Sequence, residues 1–139
     1  MNFWKSLFFA YLMSLVCPSL ATESCIPVLD AKTKETVIKS VCVTAREGCE
    51  KPSLFIYRNQ AFGAVDDVEN ATNIDECIQL CFKKSGRGSD SDFECNSITF
   101  TPGADFTCLL ASETAQTQPD WLTDTADVTK ADYVEIRCN

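Results

Sequence analysis

Residues 73–84 have the sequence NIDECIQLCFKK, which predicts an amphipathic α-helix. The apolar positions follow the i, i+3, i+4, i+7 spacing of one helix face: Ile74, Cys77, Ile78 and Cys81. Either of two pairs can cap the free amides at the helix start: Asn73 with Glu76, or Thr72 with Asp75. The two lysines at the end suit the negative pole of the helix dipole. We therefore predict a helix from Ile74 to Lys84.

Segments rich in β-branched or alternating residues predict strands before and after this helix. They are residues 36–44 (TVIKSVCVT), 54–57 (LFIY), 93–101 (FECNSITFT), 106–110 (FTCLL) and 133–138 (YVEIRC). Pro102-Gly103 predicts a turn that joins the third and fourth of these segments in a hairpin. The polar residues 112–129 predict a long loop with Trp121 as its one large anchor.

The first 21 residues predict a secretory signal peptide. One basic residue, Lys5, precedes an apolar run from Leu7 to Val16, and Ser19 and Ala21 form a cleavage site after Ala21. The alternative is a membrane anchor, but the run is short for a span of about 20 residues. We expect an extracellular protein with no membrane span after cleavage.

The cysteine count agrees with secretion. Of nine cysteines, Cys17 leaves with the signal peptide, and the remaining even set predicts four disulfides. The set comprises Cys25, Cys42, Cys49, Cys77, Cys81, Cys95, Cys108 and Cys138. A cysteine-only zinc site is disfavoured, because the chain lacks a pair of CxxC motifs and an oxidising compartment disfavours thiolate ligands.

Composition argues against several classes of function. The chain has no histidine, which excludes Ser-His-Asp and Cys-His catalytic systems and histidine metal ligands. A net charge of −8 disfavours nucleic acid, whose phosphates attract basic surfaces. We expect no catalytic, cofactor or metal site. An enzyme that uses carboxylates is a distant alternative.

Six cysteines and their flanking residues follow one order along the chain: Cys49 followed by Phe55, Cys77-x3-Cys81, Cys95-Asn96-Ser97-Ile98-Thr99-Phe100, Cys108-Leu109 and Tyr133-Val134-Glu135-Ile136-Arg137-Cys138. This order is similar to that of the PAN/Apple family, which occurs in plasma kallikrein, plasminogen-related growth factors and secreted adhesive proteins. The resemblance covers residues 49–138 and leaves 22–48 as an N-terminal extension. It implies a disulfide-stapled α+β fold, in which one helix crosses an antiparallel sheet.

The resemblance also chooses between disulfide pairings that the residues leave open. Cys77 and Cys81 share a helix face towards the predicted hairpin that carries Cys95 and Cys108, and either pairing is possible. The family implies the bonds Cys49–Cys138, Cys77–Cys108 and Cys81–Cys95. By elimination, Cys25 and Cys42 then bond to each other within the extension.

Two features are candidates for surface chemistry. Asn70-Ala71-Thr72 is an N-glycosylation sequon before the helix; the alternative is that Thr72 only caps the helix and the site is unused. Lys83, Lys84 and Arg87 form the only basic cluster. Some family members bind sulfated glycosaminoglycans, so this cluster is a candidate contact; the alternative is a solvated helix end.

Acidic residues dominate the later part of the chain. From Gly88 to Thr129 there are eight acids and no Lys or Arg. Asp90, Asp92 and Glu94 alternate as calcium ligands can, but the spacing lacks the Gly and terminal Glu of an EF-hand. We expect a solvated acidic face.

The function predicted is that of a secreted, non-enzymatic binding module. The family resemblance implies protein or carbohydrate ligands. The alternative is a structural component of an extracellular matrix that associates with itself. Fold similarity alone does not name a ligand.

Overall fold

A computed structural model describes residues 23–46, 48–84, 93–127 and 129–138. The predicted signal peptide and Arg87 lie outside these ranges. The strands are β1 Glu23–Asp30, β2 Thr36–Thr44, β3 Pro52–Tyr57, β4 Gln60–Phe62, β5 Asp67–Glu69, β6 Ser97–Phe100, β7 Cys108–Ala111, β8 Leu122–Asp124 and β9 Asp132–Cys138. The helix α1 spans Ile74–Lys84, and a 3-10 turn spans Pro119–Trp121.

Seven strands form one sheet in the order β2-β1-β3-β9-β6-β7-β5, and β4 pairs with β8 in a separate ribbon. Every pair is antiparallel except β1 with β3, which is parallel. The predicted α+β class is confirmed: a mostly antiparallel sheet, one helix and four disulfides.

The helix forms with the predicted bounds because both its face and its cap agree with the sequence pattern. Asn73 accepts a hydrogen bond from the Glu76 amide at its Oδ1 (2.9 Å), and Glu76 accepts one from the Thr72 amide at its Oε2 (3.0 Å). Asn73 with Glu76 therefore caps the helix, and this is one of the two predicted pairs. The Thr72 side chain is left exposed.

The main core lies between the sheet and α1. The helix buries Cys77, Ile78, Cys81 and Phe82. They pack against alternate residues of the strands, including Leu54, Ile56, Val134 and Ile136. Burying each of the larger side chains stabilises the fold by about 2 kcal/mol.

The N-terminal extension continues the sheet. Its strand β2 was predicted and β1 was not, although burial alternates along β1 from Glu23 to Val28. The two strands form a hairpin in which Cys25 lies opposite Cys42, and β1 adds to β3 through residues 28–30. The partner strands therefore give β1 its extended conformation.

The predicted hairpin between the third and fourth segments is present as β6 and β7. The strand β6 starts at Ser97 and is therefore shorter than the predicted segment 93–101. Cys95 therefore lies just before the strand and not within it. All four residues of β6 are buried, since the sheet is covered on both faces at this position.

The second face of the sheet carries a smaller core. Phe62, Ala111, Ala115 and Tyr133 are buried there, under the β4–β8 ribbon. Part of the predicted loop 112–129 forms this cover, as the 3-10 turn followed by β8. Describing it wholly as a loop was wrong, because a three-residue strand pairs through its partner and leaves little pattern in the sequence.

Candidate functional site

Four disulfides hold the strands and the helix together. They join Cys49 to Cys138, Cys77 to Cys108, Cys81 to Cys95 and Cys25 to Cys42. These are the pairs implied by the family resemblance and by elimination. The two that bind the helix have Cα–Cα distances of 5.5 and 5.3 Å. All eight sulfurs are used in bonds, so none is a thiolate ligand.

A groove opens on the second face of the sheet, between the segment after β4 and the start of β8. It has a volume of about 620 Å³. We call it the Trp121 groove, and its lining residues are Gly63, Ala64, Val65, Asp66, Ser112, Glu113, Asp120, Trp121 and Thr123. The volume lies within the range of about 300–1,000 Å³ found for ligand sites.

The groove exposes two large apolar side chains. Trp121 is 43% exposed and Val65 is 48% exposed. The indole packs against the buried ring of Phe62, with ring centroids 5.8 Å apart and tilted by 45°. Trp121 is thus supported from beneath while part of its ring faces solvent, which is the arrangement of an aromatic contact residue.

Backbone hydrogen bonds hold the two walls of the groove together. The Gly63 amide donates to the Trp121 carbonyl (3.0 Å), and the Asp66 amide donates to the Leu110 carbonyl (2.8 Å). Asp66 Oδ2 also accepts bonds from the amide and hydroxyl of Ser112, at 2.8 and 3.0 Å. The groove is therefore formed before any ligand binds.

The rim of the groove is acidic. Asp66, Glu113 and Asp120 are exposed carboxylates, and the lining residues include no lysine or arginine. Glu113 Oε2 accepts one bond from the Thr117 hydroxyl at 3.3 Å. The rim therefore presents negative charge beside an aromatic ring.

A buried polar network lies beneath the groove. The Ala115 amide donates to the Tyr133 hydroxyl (2.7 Å), which lies 3.2 Å from Glu135 Oε1. Burial raises the pKa of Tyr133 far above its ordinary value, so the phenol stays protonated and donates to the carboxylate. The ring of Tyr133 lies 5.0 Å from that of Phe62, which links this network to the support of Trp121.

Comparison with protein-family models matches residues 49–138 to the PAN domain. The chain belongs to the PAN domain family. The matched segment begins and ends at Cys49 and Cys138, the two residues that one disulfide joins. PAN domains are in general non-catalytic modules that bind proteins or carbohydrates. No curated protein and no solved structure matches the chain.

The one α-helix in the described part of this PAN protein has 11 residues and is too short to cross a bilayer. Nowhere in that part do three or more acidic or cysteine side chains converge to hold a metal ion.

The sequon of the PAN domain lies on an exposed loop between β5 and α1. Asn70 is exposed, and its Oδ1 accepts a bond from the Thr107 amide at 3.3 Å. The exposed Thr72 side chain does not cap the helix, because Asn73 does. Glycosylation at Asn70 stays a prediction.

The basic cluster is only partly described. Lys83 is exposed, and Arg87 lies outside the described residues. Lys84 Nζ lies 3.1 Å from carboxylate oxygens of both Asp67 and Glu69, and these bonds raise its pKa. A glycosaminoglycan would therefore compete with two carboxylates for Lys84. The contact stays a prediction.

The sequence pattern does not reveal the Trp121 groove. Trp121, predicted as an anchor, packs on Phe62 but is 43% exposed. The described acids of the predicted solvated face are exposed, whereas Asp90 and Asp92 lie outside the described residues. Val65 and Trp121 are far apart in the sequence, and they line one groove because β4 pairs with β8. One signal was present: a lone tryptophan in a polar, acidic segment.

Proposed function

We propose that this protein is a secreted, non-catalytic binding module that recognises a protein or carbohydrate ligand through the Trp121 groove. The observation that carries the proposal is the exposed indole of Trp121, held over Phe62 in a groove of ligand size. Exposed tryptophans that are rigid and supported from beneath contribute strongly to binding surfaces.

The disulfides support the extracellular location. Four bonds among the eight cysteines that follow the predicted signal peptide are typical of secreted chains. N-terminal sequencing of the protein secreted by cultured cells tests the location directly. The expected first residue is Thr22, and retention of the protein in the cells would contradict the proposal.

The binding function is tested with the secreted protein against a glycan array and a panel of extracellular domains. Trp121→Ala is expected to weaken the affinity for the identified ligand by about tenfold or more, because it removes the central contact. Phe106→Ala is the matched control, since Phe106 is also an exposed aromatic (50%) but does not line the groove. Ligands that bind Trp121→Ala as well as the unmodified protein would overturn the role of the groove.

The same preparation distinguishes the structural alternative. Sedimentation velocity over a range of concentrations is expected to show no growth in size. Assembly of the protein with itself, lost in Trp121→Ala, would instead support a self-associating matrix component.

A further inference from the structure

We propose that the Trp121 groove accepts a cationic side chain, a lysine or arginine from a basic segment of a partner protein. This inference rests on the proposed function and specifies its ligand. It depends on the charge of the groove as well as on its shape.

The first support is charge complementarity. The three rim carboxylates of Asp66, Glu113 and Asp120 are exposed, and no cation lines the groove to neutralise them. A cation that enters the groove therefore gains attraction without displacing another positive charge.

The second support is the aromatic ring. A lysine ammonium or arginine guanidinium binds favourably over the face of tryptophan, and arginine also stacks on it. Val65, 48% exposed, provides an apolar surface for the methylene stem of the same side chain. The indole, the valine and the rim carboxylates line the same groove, so its surface offers both apolar and anionic contacts to a cationic side chain.

The charge also decides between ligand classes. Sulfated or carboxylated glycans carry negative charge and would be repelled by the rim. A neutral sugar could stack on Trp121 but would gain nothing from the net negative field. A basic protein segment uses both features, so it is the occupant that the groove favours.

Intrinsic fluorescence offers a local test of the inference. The only other tryptophan, Trp4, precedes the predicted cleavage site, so emission of the secreted protein reports on Trp121. The probes are hexalysine and hexaarginine peptides, with hexaglutamate and cellohexaose as matched anionic and neutral probes. We expect the basic peptides to change the emission saturably, and the effect to weaken at about 0.15 M salt, where the Debye length is about 8 Å.

Charge variants separate specific recognition from general attraction to an acidic protein. Glu113→Gln with Asp120→Asn is expected to weaken hexaarginine binding about fivefold or more, since two rim charges are lost. Asp105→Asn with Asp127→Asn removes the same number of charges from exposed residues outside the groove and is expected to leave the affinity unchanged. Circular dichroism checks that each variant is folded.

The outcomes distinguish this inference from the proposed function. Equal weakening by both double variants, or stronger binding of cellohexaose than of the basic peptides, overturns the cationic ligand while leaving the groove as a binding site. The absence of any emission change with the basic peptides also overturns it. The role of the Trp121 groove in the proposed function fails if screened ligands bind Trp121→Ala normally.

Discussion

Arg137 donates from its Nε to Glu135 Oε2 over 2.7 Å, and this carboxylate is fully buried in the centre of the sheet. The guanidinium also lies over the ring of Phe55, 4.2 Å from its centroid, and donates to the Tyr57 hydroxyl. The buried carboxylate of Glu135 is thus paired with a cation at the edge of the network.

Removing that cation is expected to destabilise the fold. Arg137→Ala should lower the free energy of unfolding by about 3 kcal/mol, because it leaves a buried carboxylate without its charge partner. Urea unfolding followed by circular dichroism measures this. The double variant Glu135→Gln with Arg137→Ala should recover part of the loss. A double variant less stable than Arg137→Ala would contradict the account.

Two disulfides with similar loop lengths should differ in their effect on stability. The separations are 17 residues for Cys25–Cys42 and 14 for Cys81–Cys95, so loop closure contributes about 3 kcal/mol in each case. Cys81 and Cys95 are fully buried, whereas Cys25 is exposed. Replacing both cysteines with alanine should therefore cost more for Cys81–Cys95, since a core cavity also opens. Thermal unfolding compares the pairs, and equal costs would contradict the prediction.

The carboxylate of Glu76 in the helix cap should make the free energy of unfolding depend on pH. The pKa of Glu76 is held below its ordinary value of 4.5, chiefly because the Thr72 amide donates to the carboxylate. A carboxyl with a lowered folded pKa adds stability above its ordinary pKa and loses it as the pH falls through the folded pKa.

Glu76→Gln is therefore expected to be less stable at neutral pH and to lose less stability on acidification below 4.5. Urea unfolding at a series of pH values measures this, with Glu50→Gln as the control for one exposed charge elsewhere. Identical pH profiles for the protein and Glu76→Gln would refute the prediction.

Glycosylation at Asn70 should depend on Thr72 without depending on the helix cap. The secreted protein is expected to lose mass after enzymatic removal of N-glycans, and Asn70→Gln and Thr72→Ala should both abolish this change. Asn73→Ala should keep the glycan while reducing stability by about 1 kcal/mol, because it removes the cap. Mass spectrometry gives the result, and an unchanged mass for the treated protein would exclude the glycan.

A glycosaminoglycan contact at the helix end should be limited by the carboxylates of β5. Asp67→Asn with Glu69→Gln is expected to increase retention on immobilised heparin, because it releases Lys84 from both ion pairs. Lys83→Ala should decrease it. Retention that changes in neither variant would rule out this cluster as the contact.

Local sequence patterns were sufficient to predict the helix but not every strand. The helix has its predicted bounds because apolar residues repeat on one face and Asn73 caps its N-terminus. The repeating residues are Ile74, Cys77, Ile78 and Cys81. The strand β1 was not predicted: Pro27 lies inside its run, and its pairing with β2 and β3 is visible only in the folded sheet.

The sequence by itself determined the helix, the β-rich remainder and an even set of cysteines after a predicted signal peptide. It did not determine which cysteines pair or where a ligand would bind. Only the tertiary structure places Cys81 beside Cys95 and brings Val65 and Trp121 into one groove. The physical reason is that a helical period is set by neighbouring residues, whereas a disulfide or a groove depends on distances between segments that only packing brings together.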